Sequence, residues 1–142
     1  MGDGFLTIGE LAERTGVATS ALRYYEELGI LRPAQRVSGR RRYDPASVGV
    51  VGAVLFLRDA GFTLGEIGEL MAARATAPRA WRDLAQRKLE ELDARILEAQ
   101  AARVAVEHAL NCPRDDIVTC PNFQAVVRQR LEGKALVELS AP

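Results

Sequence analysis

Residues Ala21 to Gly29 read Ala-Leu-Arg-Tyr-Tyr-Glu-Glu-Leu-Gly and place a guanidinium and two phenols at three consecutive positions, Arg23, Tyr24 and Tyr25. Arg32, Arg36, Arg40, Arg41 and Arg42 follow, closed by Tyr43, with no acid between Leu28 and Tyr43. Guanidinium groups and hydroxyls donate well to phosphate oxygens, and such contacts fix a protein's register on a duplex. The plainer use of the same residues is structural, since paired aromatics in a helix commonly fill a core and an arginine run is commonly a solvated loop. A second chemically capable group is Cys112 and Cys120, with seven residues between them, a proline after each, and Asp115-Asp116 inside the interval. Two close thiols suit a soft metal ion or a thiol–disulfide switch. In a reducing compartment either use is favoured over a structural staple. His108 stands one helical turn before Cys112 and is a candidate third ligand, which would make a Cys2His site for Zn(II). Its plainer reading is a histidine on a helix surface. Asp115 and Asp116 fit turn positions better than ligand positions. The chain has only this one His, no paired nucleophile and base, and no phosphate-binding glycine loop, so an enzyme is not expected.

The charge balance bounds these readings. Lys+Arg and Asp+Glu are both 19 over 142 residues, which argues against a protein coated in nucleic acid along its length. The basic footprint is confined to the N-terminal third, while charges of both signs are interspersed beyond Pro78. Met1 to Phe5 holds no basic segment leading into an apolar core, so no secretory leader is expected. No apolar run approaches the roughly 18 residues of a membrane span. A cytoplasmic location is the expectation.

Local signals then place the elements. Thr7 and Glu10 form a Thr-x-x-Glu capping box that opens a helix through about Arg14, stopped at Gly16. Thr19 or Ser20 is expected to cap the next helix, which runs to Leu28 with Gly29 as its stop. Helix, short turn and helix make a helix-turn-helix, with Ile8, Leu11, Val17, Leu22 and Leu28 as its inner face. Pro33 to Gly39 is non-helical, and extended pieces on either side of Ser38-Gly39 would form a small hairpin, a wing. Asp44 is expected to cap a third helix with Pro45 in its first position, bearing Val48, Val51, Leu55 and Leu57 and ending at Gly61. Thr63 and Glu66 make a second capping box for a fourth helix through about Ala73.

Thr76 to Pro78 breaks the chain. Beyond it no Gly or Pro interrupts Arg79 to Asn111. Ala85, Leu89, Leu92, Ile96, Ala99, Arg103, Val106 and Leu110 alternate spacings of four and three, a heptad seam. An antiparallel coiled coil with a second copy would bury that seam; the alternative is an amphipathic helix lying on its own domain. Arg103 is tolerable on the seam if its head reaches solvent or a partner's acid. A short amphipathic helix is expected over about Phe123 to Leu131, followed after Gly133 by a weakly ordered tail. The fold class is mainly α, in three parts. A winged helix-turn-helix DNA-binding domain occupies 1–75, a long dimerisation helix 76–111, and a cysteine-bearing effector loop, short helix and tail 112–142.

This order of parts resembles the MerR family of bacterial transcription regulators. The resemblance covers nearly the whole chain. It is carried by Thr-Ile-Gly-Glu-Leu-Ala from Thr7, Ala-Leu-Arg-Tyr-Tyr-Glu-Glu-Leu-Gly-Ile-Leu-Arg-Pro from Ala21, Gly39 with Arg41 to Tyr43, and Ala60-Gly61-Phe62-Thr63-Leu64-Gly65-Glu66-Ile67. The resemblance implies a homodimer that binds a pseudo-palindromic promoter, then bends and untwists it. Realigning an over-long spacer in this way would serve RNA polymerase. It makes Thr19 to Leu28 the recognition helix. Thr19 and Ser20 would face bases, and Arg23 and Tyr24 would face phosphate and groove. Arg41 and Tyr43 would hold the backbone from the wing, flanked by Arg42 and by Arg40, which replaces a usual aromatic. The base sequence read by Thr19, Ser20 and Ala21 stays open.

The Cys112-x7-Cys120 loop is similar to that of the copper-sensing, CueR-like branch. The similarity implies two thiolates holding Cu(I), Ag(I) or Au(I). This chain departs from that branch at Thr76 to Arg82, which has neither the Cys of divalent sensors nor the Ser of monovalent ones. Its long helix is about one turn shorter, and it ends Leu-Ser-Ala-Pro in place of a Cys/His-rich tail. Thiol redox switching, a Zn(II) site and a vestigial loop remain open beside the monovalent-ion reading. A four-thiolate iron–sulfur centre is disfavoured by the count of two cysteines.

Overall fold

The computed structural model describes residues 4–139, in two compact units that divide between Lys88 and Leu89. In the first unit, α1 (Ile8–Thr15) starts at Thr7, whose side chain accepts from the Glu10 N–H while Glu10 accepts from the Thr7 N–H at 2.7 Å. It ends at Gly16 with φ 71°, a left-handed position that favours glycine. Helix α2 (Thr19–Glu27) closes with the Ile30 N–H reaching back to the Tyr25 carbonyl at 2.9 Å. Its start differs from expectation. Ala18 is the N-cap and no side chain caps it, so Thr19 and Ser20 already lie inside the first turn. Those two side chains are thereby not committed to backbone capping.

Strands β1 (Gln35–Val37) and β2 (Arg40–Arg42) pair antiparallel, Arg36 opposite Arg41. The two-residue loop has positive φ at both Ser38 (51°) and Gly39 (74°), the backbone that matches strand twist in a tight hairpin. The wing is anchored at its base, where Leu6 and Tyr43 exchange both backbone hydrogen bonds at 2.8 Å.

Helix α3 (Ser47–Asp59) begins later than the sequence predicted, because Asp44 and Pro45 form a turn ahead of it. The Asp44 carboxylate accepts from the Ala46 N–H at 2.8 Å instead of capping the helix. Val51 and Val54 are its fully buried residues, whereas Leu55 is exposed. Helix α4 (Leu64–Ala73) carries the second capping box at Thr63 and Glu66, as expected. Leu11, Leu22, Tyr43, Val51, Val54 and Ile67 are the fully buried centre of this unit, drawing on both helix pairs and the base of the wing.

Helix α5 (Ala80–Leu110) is continuous, and its first turns belong to the first unit through buried Leu84 and Lys88. Along the second unit it is laced by Glu91–Arg95 at 2.8 Å and Arg103–Glu107 at 3.1 Å, both i,i+4. Arg103 thus meets an acid of its own helix. The seam residues Leu89, Ile96, Val106 and Leu110 are exposed in the single chain. A 3-10 turn (Ile117–Thr119) leads into α6 (Pro121–Leu131), which starts two residues before the predicted Phe123 because Cys120 and Pro121 form its N-terminus. A further short helix, α7 (Leu136–Leu139), occupies part of the segment expected to be weakly ordered; the last three residues of that segment lie outside the described residues.

Candidate nucleic-acid interface and thiol loop

Helical spacing separates the aromatics of α2. Tyr25 is buried in the core, while Tyr24 is 48% exposed and Arg23 stands beside it on the surface. Ser20 is exposed one turn earlier and Thr19 half-buried, so all four candidate residues of α2 are at least partly accessible.

The wing brings its arginines to the same place. An open cleft of about 480 Å³ is lined by Thr7 and Ile8 at the start of α1, by Arg23 from α2, and by Gly39, Arg40, Arg41 and Arg42. Arginines of two elements, Arg23 from α2 and Arg40, Arg41 and Arg42 from the wing, thus line one cleft at the start of α1. Sequence reasoning supplied the arginines but missed Thr7 and Ile8, whose capping box signalled only a helix start.

Tyr43 does not fit the surface role expected of it. Its ring is wholly buried, and its hydroxyl donates to Glu26 Oε1 at 2.8 Å. Burial, then the Glu26 hydrogen bond, push its pKa up to about 12. Tyr43 is a core residue that supports the wing from below. The other Glu26 oxygen lies 3.1 Å from Arg41 Nε. Glu26 was not singled out by the sequence, where it reads as one more exposed acid of a helix; only the fold brings it to residue 43, 17 positions away.

In the second unit, Cys112 and Cys120 come together across their loop, and both are half-buried. Asp116 shapes the loop, its carboxylate accepting from the Val118 N–H at 3.0 Å, and Gln124 Nε2 donates to the Val118 carbonyl at 3.1 Å. The Phe123 N–H holds the Cys120 thiol below its ordinary pKa, helped by a hydrogen bond with Cys112 and by the Asn122 N–H, against an opposing effect of burial. Sulfur at the N-terminus of α6 is thus prepared for negative charge. Among the described residues no three His, Cys, Asp or Glu side chains come together as a metal-holding group. The donor set on offer is two sulfurs, which fits a soft monovalent ion better than Zn(II).

Residues 6–74 match the family model described as MerR HTH family regulatory protein, and residues 51–109 match the model described as MerR, DNA binding. The HTH-type transcriptional regulator HmrR of Rhizobium leguminosarum is 36% identical over 87 residues, 59% of this chain and 67% of that protein. Heavy metal-dependent transcription regulator 2 of Rhizobium meliloti is 36% identical over 86 residues, 60% of this chain and 58% of that protein. The chain spans 61% of the length of another such relative, from Pseudomonas aeruginosa. The crystal structure of HiNmlR, a MerR family regulator lacking the sensor domain and bound to promoter DNA, has a similar fold. Its TM-score is 0.56 at 18% identity, over 95% of this chain and 98% of that one.

Proposed function

The chain belongs to the MerR family of helix-turn-helix regulatory proteins, and from that premise we propose that it is a homodimeric transcriptional regulator that binds and distorts promoter DNA. The observation that carries the DNA-binding reading is the convergence of Arg23 with Arg40, Arg41 and Arg42 around the cleft at the start of α1. Cationic groups from the recognition helix and the wing can hold one duplex backbone at two points. With those points fixed, Thr19 and Ser20 are free to meet base edges. Dimerisation through the exposed seam of α5 would set two such surfaces at a fixed spacing. Bending and untwisting between them would realign promoter elements for RNA polymerase, with sequence choice partly set by DNA deformability.

The switch we propose is an effector at Cys112 and Cys120, a soft monovalent ion such as Cu(I) or Ag(I). Two thiolates and one such ion carry a net charge of −1, which the N-terminal N–H groups of α6 would offset. The relative named for heavy-metal dependence supports the same direction. The hydrogen bond between the two thiols also favours a second reading, reversible disulfide formation in response to oxidant.

The test is selection of duplexes from a random library by the full chain, followed by anaerobic titration of the dimer with Cu(I) and, separately, Zn(II). Enrichment of a two-fold-related sequence and uptake of about one Cu(I) per cysteine pair are expected. No enrichment would end the DNA-binding reading. Tight Zn(II) uptake with nitrogen ligation would end the monovalent one.

A further inference from the structure

Glu26 is an acid of α2 set against the arginine-bearing wing. Its side chain is only 10% exposed, and its two oxygens serve two different groups of the wing. Oε1 accepts from the Tyr43 hydroxyl at 2.8 Å, and Oε2 pairs with Arg41 Nε at 3.1 Å. Arg41 and Tyr43 are two positions apart along extended backbone, so both project from the same side of the strand, toward α2. Arg40 and Arg42 alternate to the other side. One carboxylate therefore ties α2 to the inner side of the wing strand. The tie is costly for DNA attraction, because Glu26 neutralises part of the cationic cleft and repels phosphate. A surface selected only for attraction would have no use for it.

Resting on the DNA-binding reading above, we propose that Glu26 is a positioning residue for DNA discrimination. It clamps the recognition helix to the wing at one separation, so that only a duplex of matching shape satisfies both at once. A rigid two-point reader rejects ill-fitting DNA, because a duplex that fits the helix leaves the wing cations unpaired. A loose one accepts many shapes with similar affinity. Glu26 thus weakens binding to ill-fitting DNA and favours the operator, widening the gap between them.

The test compares the unmodified chain with Glu26→Gln and Tyr43→Phe, using the duplex enriched from a random library and a scrambled duplex of the same composition. Glu26→Gln keeps the size of the side chain and an oxygen for Tyr43 but loses the charge that holds Arg41. Tyr43→Phe keeps the buried ring and the Glu26–Arg41 pair but loses the hydroxyl tie. In Glu26→Gln, affinity for the scrambled duplex should rise about threefold at low salt, and the slope of log affinity against log salt should steepen. Affinity for the selected duplex should fall about threefold, so that discrimination drops about tenfold. Tyr43→Phe should lower discrimination with no gain on the scrambled duplex. Thermal melts establish that each variant is folded, and if Glu26→Gln does not fold, Tyr43→Phe decides the outcome. Discrimination unchanged in the folded variants, or both duplexes weakened by one common factor, would overturn the proposal. A wild-type chain that enriches no duplex would defeat the DNA-binding reading itself, an outcome distinct from a discriminating wild type with equally discriminating variants.

Discussion

Lys88 Nζ lies 3.2 Å from Glu66 Oε1, so a lysine of α5 is joined to the first turn of α4. The same Oε1 accepts from the Thr63 N–H at 3.1 Å, and the ammonium sits 5.3 Å above the Phe62 ring. Lys88 is only 4% exposed, and its charge is matched by a carboxylate and a ring face. Glu66→Ala removes the cap partner and the ion pair together and should cost about 2 kcal/mol in urea unfolding. Glu66→Gln should cost less at neutral pH and should flatten the acid limb. The Thr63 N–H bond, helped by Lys88, depresses the Glu66 pKa. A depressed carboxylate adds stability above its unfolded pKa, and that stability is lost as pH falls through the folded one. A wild-type acid limb identical to that of Glu66→Gln would contradict this.

Tyr43 makes the opposite prediction at high pH. Its folded pKa is raised to about 12 from the ordinary value of 10.0. The folded state therefore favours the neutral phenol, and the stability this confers is whole below pH 10.0 and lost as pH rises toward about 12. Tyr43→Phe cannot ionise, so the wild type should lose up to about 3 kcal/mol relative to it across that window. Parallel stability curves for the two proteins would show that Tyr43 is not held as described.

The salt dependence of DNA binding tests the cleft. Arg23→Ala and Arg40→Ala should each weaken binding to selected and scrambled duplexes alike, and each should reduce the salt slope by about one unit. Arg41→Ala differs, because Arg41 is already paired with Glu26. Its removal should lower the slope and also release Glu26. Slopes unchanged in Arg23→Ala and Arg40→Ala would remove these residues from the interface.

The features legible in the sequence were those set by neighbours along the chain. The Thr7–Glu10 and Thr63–Glu66 boxes, the Gly16 stop, the Ser38-Gly39 turn and the uninterrupted α5 all depend on residues within a few positions of one another. Helix starts without a side-chain signal were misplaced, as at Ala18, where Thr19 and Ser20 offered a cap that the backbone does not use. Asp44 misled in the same way, because an Asp-Pro turn and a helix cap look alike locally. The site was half legible. Its arginines announce themselves by type, but whether Tyr43 faces solvent or core depends on its pairing with Leu6 and on Glu26, both far away in sequence. Glu26 carried no local mark at all.

Dimerisation is predicted from the apolar residues α5 leaves uncovered in one chain, among them Leu89 and Ile96, each more than half exposed. Leu92→Glu with Ile96→Glu should abolish the dimer and reduce DNA binding with it, since one copy would hold only half of the site. Sedimentation at micromolar concentration checks this. A stable monomer of the unmodified chain at that concentration would refute it.

The effector prediction turns on what two sulfurs can and cannot do. Cys112→Ser with Cys120→Ser removes both soft donors while keeping the loop's backbone frame, which rests on Asp116, Gln124 and the start of α6. The double variant should still fold and bind the selected duplex, because the cleft belongs to the first unit. It should lose Cu(I) uptake and any metal-dependent change in transcription. A ligand shifts a two-state regulator only by the difference in its affinity for the two states, so removing the ligand's donors should freeze the output without abolishing DNA binding. X-ray absorption of the loaded wild type should show sulfur neighbours alone. The redox reading separates cleanly in the same pair of proteins. If mild oxidant changes wild-type transcription with no metal present, and the double variant is insensitive to it, the thiols act as a disulfide switch and the metal assignment is wrong. If the double variant still responds to Cu(I), the effector site lies elsewhere in the chain.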